Sequence, residues 1–529
     1  MFKNIYDMLQ KTCSENKDSI FFVRQNETYA DLLVKVKKRA VVLAQKLGVK
    51  KGDTVAILSG NTPEFIKSYF AIVSQGAKVL MLDTGLCSTE HLNMVKHTKC
   101  KLVLAQKNFF VKGGPEMFDI ETPDTMSEKD FVAADVGQGD LAMLSFTSGS
   151  TGNPKIVGLT HNNIVSLGVG SLKYKSVILP GYTVYGFLPL YHIYGVVVNI
   201  VTPLMLRCKL LLQPVLNPSE FLKDFAQYRP DVIPGVPRVW EGFYKKIMDG
   251  AKEKKKYTAM KVILSMSGFL RAIGLGSIVK KVTDPVHAIF GGRTKVLISA
   301  GAVLKPTIRK FFERLGFVVG DCYGLTETTG PSNFNLPFRQ ADGTMHYAGP
   351  LPGNELKIHN PDKDGIGEIW VRGNLVMQGY VGNDAANAEV FEDGWFKTGD
   401  LGVLDSKQRL TIKGLKKQVI VLGSGKNVYP DELEDLYLQN DEVLAAAVLE
   451  RNIKGKTVVY GVFQVKPGTT VSRMGLMLKA SNLKIAPYKW VHHFAITEDE
   501  LPQTSAKKIK HFEVSAMLDR GEFPNRSDA

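Results

Sequence analysis

Thr147-Ser148-Gly149-Ser150-Thr151-Gly152-Asn153-Pro154-Lys155 sets a run of hydroxyl and glycine residues ahead of a proline and a lysine. The apolar run Leu141-Ala142-Met143-Leu144-Ser145-Phe146 before it reads as a buried strand. Thr160-His161-Asn162-Asn163-Ile164-Val165 after it reads as a helix start. A loop so placed offers backbone N–H groups and hydroxyls to phosphate oxygens, and Lys155 adds a mobile positive charge. The G-x-x-x-x-G-K-[ST] spacing of a Walker A loop is absent. Taken alone, the stretch also reads as a Ser/Thr/Gly turn that binds nothing.

Outward from this loop, strand-like and helix-like patterns alternate over the first four hundred residues or so. Asp53–Leu58 and Lys78–Leu82 read as buried strands with a helix from Pro63 to Ala71 between them. Lys209–Gln213 and Lys295–Ser299 are further short apolar strands. Such alternation predicts an α/β fold. From Gly367–Gly373 onward, alternating strands with glycine turns predict a β-rich subdomain. A polar segment, Lys413 to Lys417, marks a boundary. Beyond it the patterns read helix (Asp431–Gln439), strand (Val443–Leu449), strand (Val458–Val465), helix (Val471–Lys479) and strand (Trp490–Ile496). This is a compact α+β unit of roughly a hundred residues, a usual domain size. The expected division is 1–414 and 415–529.

The chain has 529 residues, of which 44% are hydrophobic and 22% charged, enough material for more than one globular core. Its formal net charge of +15 favours acidic partners such as a nucleotide, coenzyme A or anionic lipid. No nucleic-acid module is recognisable, so no nucleic-acid partner is expected. Cys13, Cys87, Cys100, Cys208 and Cys322 are scattered without a C-x-x-C pair. That indicates neither a disulfide framework nor a zinc site, and it fits a reducing, cytoplasmic compartment. The start, Met1 to Asp7, lacks the apolar core of a signal peptide, and the end lacks a peroxisomal Ser-Lys-Leu. Lys252, Lys254, Lys255, Lys256 and Lys261 concentrate positive charge ahead of the apolar run Val262 to Leu275. Arg271 and two glycines interrupt that run, which argues against a spanning helix. Two readings stand: a basic amphipathic helix in peripheral contact with a membrane, or a helix packed on the protein with a solvated lysine tail.

Other stretches give the loop its context. Tyr323-Gly324-Leu325-Thr326-Glu327-Thr328 follows the apolar run Phe317-Val318-Val319. Gly394-Trp395-Phe396-Lys397-Thr398-Gly399-Asp400 comes later. Then follow Lys413-Gly414-Leu415-Lys416-Lys417, Gly423-Ser424-Gly425-Lys426-Asn427 before Pro430, and Leu501-Pro502-Gln503-Thr504-Ser505-Ala506-Lys507-Lys508-Ile509. This ordered set resembles the adenylate-forming superfamily of acyl-CoA synthetases, luciferases and peptide-synthetase adenylation domains, over nearly the whole chain. The resemblance implies a large N-terminal domain of α/β layers with a β-rich subdomain, and a small mobile α+β C-terminal domain that rotates between two half-reactions.

The implied reaction joins a carboxylate to the α-phosphate of ATP and then passes the acyl group to a thiol, usually that of coenzyme A. Thr147, Ser148, Gly149, Ser150, Thr151, Gly152 and Lys155 would bind the β- and γ-phosphates. Glu327 would hold Mg²⁺, since a hard cation prefers carboxylate oxygen, with Thr326 beside it in the nucleotide and catalytic site. Tyr323 would stack on adenine next to Gly324, and Gly301 and Ala302 would let adenine approach the backbone. Asp400 would accept hydrogen bonds from the ribose. Lys508 would bridge the attacking carboxylate and the α-phosphate. In this family glycine often precedes that lysine; here the residue is Lys507.

His192, in Pro189-Leu190-Tyr191-His192-Ile193-Tyr194-Gly195, matches a family position that borders the acyl and thiol sites. Trp240, in Gly235-Val236-Pro237-Arg238-Val239-Trp240, matches an aromatic that gates the acyl tunnel of long-chain fatty acyl-CoA synthetases; a core tryptophan is the alternative. Gly425 would line the path of the CoA thiol, and Lys417 falls at the hinge. One departure stands out. The family hinge reads Gly-Arg-x-Lys, and here it reads Gly414-Leu415-Lys416-Lys417. Leucine cannot donate the arginine's hydrogen bonds to the ribose, so Lys413 or Lys416 must compensate or nucleotide binding weakens. The resemblance therefore leaves three outcomes: a medium- or long-chain acyl-CoA ligase, an acyl-AMP ligase that delivers to a carrier-protein thiol, or a degenerate relative that binds nucleotide or fatty acid without turnover. A luciferase-like oxygenation shares the same motifs.

Overall fold

The computed structural model describes residues 2–147, 155–214, 218–253, 255, 257–336, 338–339, 345–346, 349–423, 426–453, 455–503 and 509–527. The chain folds into two compact units. One comprises Met1–Leu356, Val371–Phe396 and Asp405–Leu410; the other comprises Lys357–Trp370, Lys397–Leu404 and Thr411–Ala529.

Two large sheets organise the first unit. In one, the strand order is Gly379–Tyr380, Lys155–Thr160, Leu141–Thr147, Lys78–Met81, Thr54–Leu58, Leu102–Ala105, Glu116–Asp119. From Leu141–Thr147 to Glu116–Asp119 its strands are parallel, and Lys155–Thr160 and Gly379–Tyr380 extend it through antiparallel pairings at one edge. The other sheet runs Gly330–Asn335, Val318–Leu325, Val296–Ser299, Val232–Gly235, Thr183–Gly186, Lys209–Leu212, Ile20–Phe22, Glu27–Thr28. The buried parallel strands are continuous apolar runs, as expected where both faces are covered. The helix Pro63–Ser74 links two of them, opened by Thr62 accepting from Phe65 N–H and by a proline in its first turn. A five-stranded sheet orders Asn354–His359, Gly367–Gly373, Trp395–Leu404 and Phe391–Glu392, with Leu410–Leu415 on Trp395–Leu404.

The second unit is built on a four-stranded sheet: Val443–Ile453, Lys456–Val465, His493–Thr497 and Asn525–Arg526. The helices Pro430–Tyr437 and Val471–Asn482 close one apolar cluster with it, around Leu433, Phe463 and Leu478. His511–Asp519 closes another around Val462, Val514 and Leu518.

The helix expected after the phosphate loop begins at His161, capped by Thr160 and Asn163, each side chain receiving the other's backbone N–H. Before it the chain makes a strand that the sequence reading passes over, Lys155–Thr160, hydrogen-bonded antiparallel to Leu141–Thr147. The apolar run after the lysine cluster becomes short helices, and among the described residues no helix is long and apolar enough to cross a membrane.

Candidate active site

The phosphate-loop strands set Thr147 and Lys155 opposite each other in register. Ser148, Gly149, Ser150, Thr151 and Gly152 lie outside the described residues, as do Gly425 and Lys508. The Lys155 ammonium sits 4.7 Å from the ring centroid of Tyr380. The Tyr380 hydroxyl donates to Glu327 Oε1 at 2.9 Å. A single aromatic side chain thus spans from the loop's cation to the carboxylate of the Tyr-Gly-x-Thr-Glu block. Burial, and then the Glu327 charge beside it, push the Tyr380 phenol's pKa up, so it remains a donor.

Each member is held by backbone. The Asn387 side-chain amide accepts from Tyr380 N–H at 2.7 Å and donates to Tyr380 C=O at 3.0 Å, acting as a strand partner for a two-residue strand. Asn163, from the helix cap, donates to Asn374 C=O at 2.7 Å and Val376 C=O at 2.9 Å. Glu327 lies in a single helical turn, Thr326–Thr328, whose exit needs the left-handed region at Thr329 (φ 55°) and Gly330 (φ 87°). Met377 N–H donates to Glu327 C=O at 2.8 Å, and Thr329 Oγ1 to Leu375 C=O at 2.6 Å. Gly324 is fixed by close approach: a Cβ there would stand 1.8 Å from Gly330 O. The glycine of that block is therefore a packing requirement, whatever else it does.

Gly301 and Ala302 follow the end of the strand Val296–Ser299, and Tyr323 lies within its parallel neighbour Val318–Leu325. Ser299 and Asp321 are register partners, and the three residues follow them directly. Gly301 has φ 85°, and both it and Ala302 are exposed. Carboxyl ends of parallel strands are the usual ligand-binding edge of α/β sheets. Burial raises the Asp321 carboxyl to about 6, with Arg309 opposing.

His192 caps the short helix Ile193–Val196, and its ring lies 4.7 Å from that of Tyr191. It is open to solvent on one side, yet the protein packed around it lowers its pKa, against the pull of Asp83. Trp240 is only 1% exposed and is packed against Phe243 and Phe312. The two segments meet at Gly235, whose carbonyl accepts from Tyr194 OH at 3.0 Å and whose Cβ position is 2.7 Å from the Trp240 ring.

In the second unit Asp400 is buried, 8% exposed. Its N–H donates to Thr398 Oγ1 at 3.1 Å, and Gly399 N–H donates to Glu368 Oε1 at 3.2 Å. Lys416 Nζ reaches the other Glu368 oxygen at 2.9 Å. Burial raises the Glu368 carboxyl, but Lys416 and Gly399 N–H outweigh it and hold it below the usual range. Next to Leu415, then, a cation is tied through Glu368 to the strand that carries Asp400. Lys417 is exposed in the same short turn, Lys416–Gln418.

Residues 9–381 match the family model described as AMP-binding enzyme. The chain belongs to the AMP-binding enzyme family. Among this family's curated proteins it is 28% identical to the long-chain-fatty-acid–CoA ligase FadD15 of Mycobacterium tuberculosis, over 88% of this chain and 86% of that protein. It is 26% identical to the long-chain-fatty-acid–CoA ligase of Bacillus subtilis, over 93% and 90%. Among solved structures of the same fold, the o-succinylbenzoate coenzyme A synthetase MenE of Bacillus subtilis, in complex with ATP and magnesium ion, superposes with a TM-score of 0.77. The identity is 23%, over 96% of this chain and 99% of that one. MatB from Rhodopseudomonas palustris, bound to ATP, superposes at 0.76, with 22% identity over 98% and 100%.

Motif reading of the AMP-binding chain misses Tyr380 and Glu368. Tyr380 lies in a two-residue strand, too short to show a period. Glu368 alternates in a strand like any solvated residue, Gly367-Glu368-Ile369-Trp370. Only the tertiary contacts single them out.

Proposed function

We propose that the chain activates a medium- or long-chain fatty acid with ATP and passes the acyl group to coenzyme A. In the first step a carboxylate oxygen of the acid bonds to the α-phosphorus and pyrophosphate leaves. In the second, the thiol sulfur bonds to the acyl carbon, AMP leaves, and the thiol proton is released to solvent.

The observation that carries the reading is the Lys155–Tyr380–Glu327 arrangement, which links the lysine at the end of the hydroxyl-rich loop to a carboxylate of the kind a hard metal prefers. Glu327, oriented by Tyr380, would hold Mg²⁺, which when bound neutralises charge on the polyphosphate. Lys155 and Thr147 would meet the phosphates, Tyr323 with Gly301 and Ala302 the adenine, and Asp400 the ribose. Lys508 would align the carboxylate with the α-phosphate. His192 and Trp240 would border the acyl chain, with Gly425 on the thiol's path and Lys417 at the hinge between domains 1–414 and 415–529. The curated relatives' names support a fatty acid. The five cysteines, none paired, support the cytoplasm.

Pyrophosphate release across saturated acids of increasing length, with and without coenzyme A, tests the reading. Each methylene buried in an apolar tunnel is worth roughly 0.8 kcal/mol, or about fourfold in affinity, so activity should climb before levelling. Lys508→Ala should lose two to three orders of magnitude, about 3 to 4 kcal/mol, in adenylation while thioester formation from supplied acyl-AMP survives. Best activity on acetate or a benzoate would remove the fatty acid. Acyl transfer only to a carrier protein would replace coenzyme A as acceptor. Leu415 favours a second reading, a nucleotide- or fatty-acid-binding relative without turnover. Saturable ATP binding with no pyrophosphate release on any acid would establish that reading instead.

A further inference from the structure

Val262, Met266, Phe269, Ile273, Leu275 and Ile278 are large hydrophobic side chains exposed within one short segment. They lie on a helical excursion after the long helix Pro237–Glu253: Tyr257–Ser265, Ser267–Ala272 and Gly276–Ile289. The break between the first two does not interrupt the turn. Met266 N–H donates to Val262 C=O at 3.1 Å, Leu270 N–H to Met266 C=O at 2.9 Å, and Ile273 N–H to Phe269 C=O at 3.1 Å. Val262, Met266, Phe269 and Ile273 therefore follow the i, i+4, i+7, i+11 spacing of one helix face. Met260, Leu264 and Ser267 repeat i, i+4, i+7 on another face and are buried. The inward stripe is packed, and a second apolar stripe faces water. Phe269 is 60% exposed and Val262 50%. Contiguous exposed apolar surface of this kind marks a contact site.

Charge identifies the partner. Lys261, next to Val262, and Lys280 and Lys281, just after Ile278, are exposed in the same segment. Between Lys252 and Lys281 the sequence contains a single acid, Glu253. A second copy of the chain would bring these lysines against their own like in a two-fold contact. A surface that is both negative and apolar just beneath satisfies lysines and stripe together, and a bilayer containing anionic lipid is such a surface.

We propose that the face formed by residues 257–281 docks on an anionic lipid bilayer. Val262, Met266, Phe269 and Ile273 enter the boundary between headgroups and acyl chains, and the lysines meet lipid phosphates. The helix Pro237–Glu253, which carries Trp240, packs against Tyr257–Ser265. Docking therefore bears on the helix assigned to the acyl site, although the proposal stands whatever acid is activated.

The test is flotation of the full-length chain with vesicles of phosphatidylcholine alone and of phosphatidylcholine with phosphatidylserine. Binding is expected with the anionic vesicles and should fall as salt rises. Lys280→Glu with Lys281→Glu should weaken it about tenfold or more, from roughly fivefold for each lysine. Phe269→Asp with Ile273→Asp should weaken it by at least about tenfold. Both pairs should keep the parent's melting temperature and its pyrophosphate release on a water-soluble acid. The indole introduced by Phe269→Trp should be quenched by brominated lipid beyond the parent's own tryptophans. Equal binding to neutral and anionic vesicles, unaltered binding of the Asp pair, or no added quenching in the Phe269→Trp protein would each overturn the proposal. So would light scattering that shows a dimer dispersed by Phe269→Asp, since a second copy would then cover the stripe.

Discussion

His161 in the large unit is buried and His511 in the small one is half-buried, and their surroundings shift their pKa values in opposite directions. His161 is fully buried and accepts from Ile5 N–H at 3.3 Å through Nδ1. Burial lowers its pKa to about 4, with Asp140 opposing and Lys51 assisting. His511 faces Glu434 Oε1 at 2.6 Å, with Gln418 on its other nitrogen at 3.2 Å. Burial works to lower it too, but Glu434, then Asp431 and the Ile509 backbone, raise it overall. Depth does not set the charge; the group across from the ring does. Around Gly324 the large unit has no room to spare, whereas at His511 the small one is fastened by a paired charge.

The contrast is tested most severely where the large unit has no space. Gly324→Ala would put a Cβ on Gly330 O, so a loss of about 4 kcal/mol or more, or failure of that unit to fold, is expected in thermal unfolding. In the small unit Gly468 (φ 84°) has open space around it, and Gly468→Ala should cost only the backbone strain, about 1 kcal/mol. Similar losses at the two sites would erase the distinction.

The histidines give opposite pH slopes. The depressed His161 contributes stability that is present above the unfolded value near 6.5 and is lost as pH falls toward 4, on the order of 3 kcal/mol in full. The raised His511 contributes stability that is present below the unfolded value and is lost as pH rises through its folded value. His161→Gln should flatten the acid limb of the melting profile, and His511→Gln the limb above the ordinary imidazole range. A shared slope would show that the two sites are not held differently.

Tyr380→Phe should weaken the large unit by about 1 kcal/mol and raise the Mg²⁺ needed for half-maximal pyrophosphate release about fivefold. An unchanged metal requirement would mean that Glu327 is oriented without the phenol. The smallest effect is expected at the exposed Lys416 of the small unit. Lys416→Met should cost less than about 1 kcal/mol in stability and weaken AMP binding two- to fivefold, read by calorimetry. If Leu415→Arg restores tight binding in that background, the Lys416–Glu368 pair stands in for the arginine.

Much of the fold was legible in the sequence because its strands are unbroken apolar runs, such as Thr54–Leu58 and Val296–Ser299, between clear helix signals at Thr62-Pro63 and Thr160. The strand Lys155–Thr160 is hidden in the sequence because Gly158 and Thr160 interrupt its apolar pattern. In the site, Thr147, Lys155, Glu327 and Tyr323 announce themselves through local motifs. Tyr380 and Glu368 do not, because their roles come from partners far along the chain. No local spacing encodes a phenol that meets Lys155 from over two hundred residues away.

That separation has a consequence for the birth of the protein. Gly379 and Tyr380 pair with Gly158 and Val157 at the sheet's edge. At 5–20 residues per second a ribosome needs roughly 10 to 45 s to supply the second partner after the first has emerged. For that interval Lys155–Thr160 is an uncovered strand edge on a growing chain, open to the wrong neighbour. Chaperones that shield nascent edges should therefore matter more for the yield of this enzyme than its final stability would suggest.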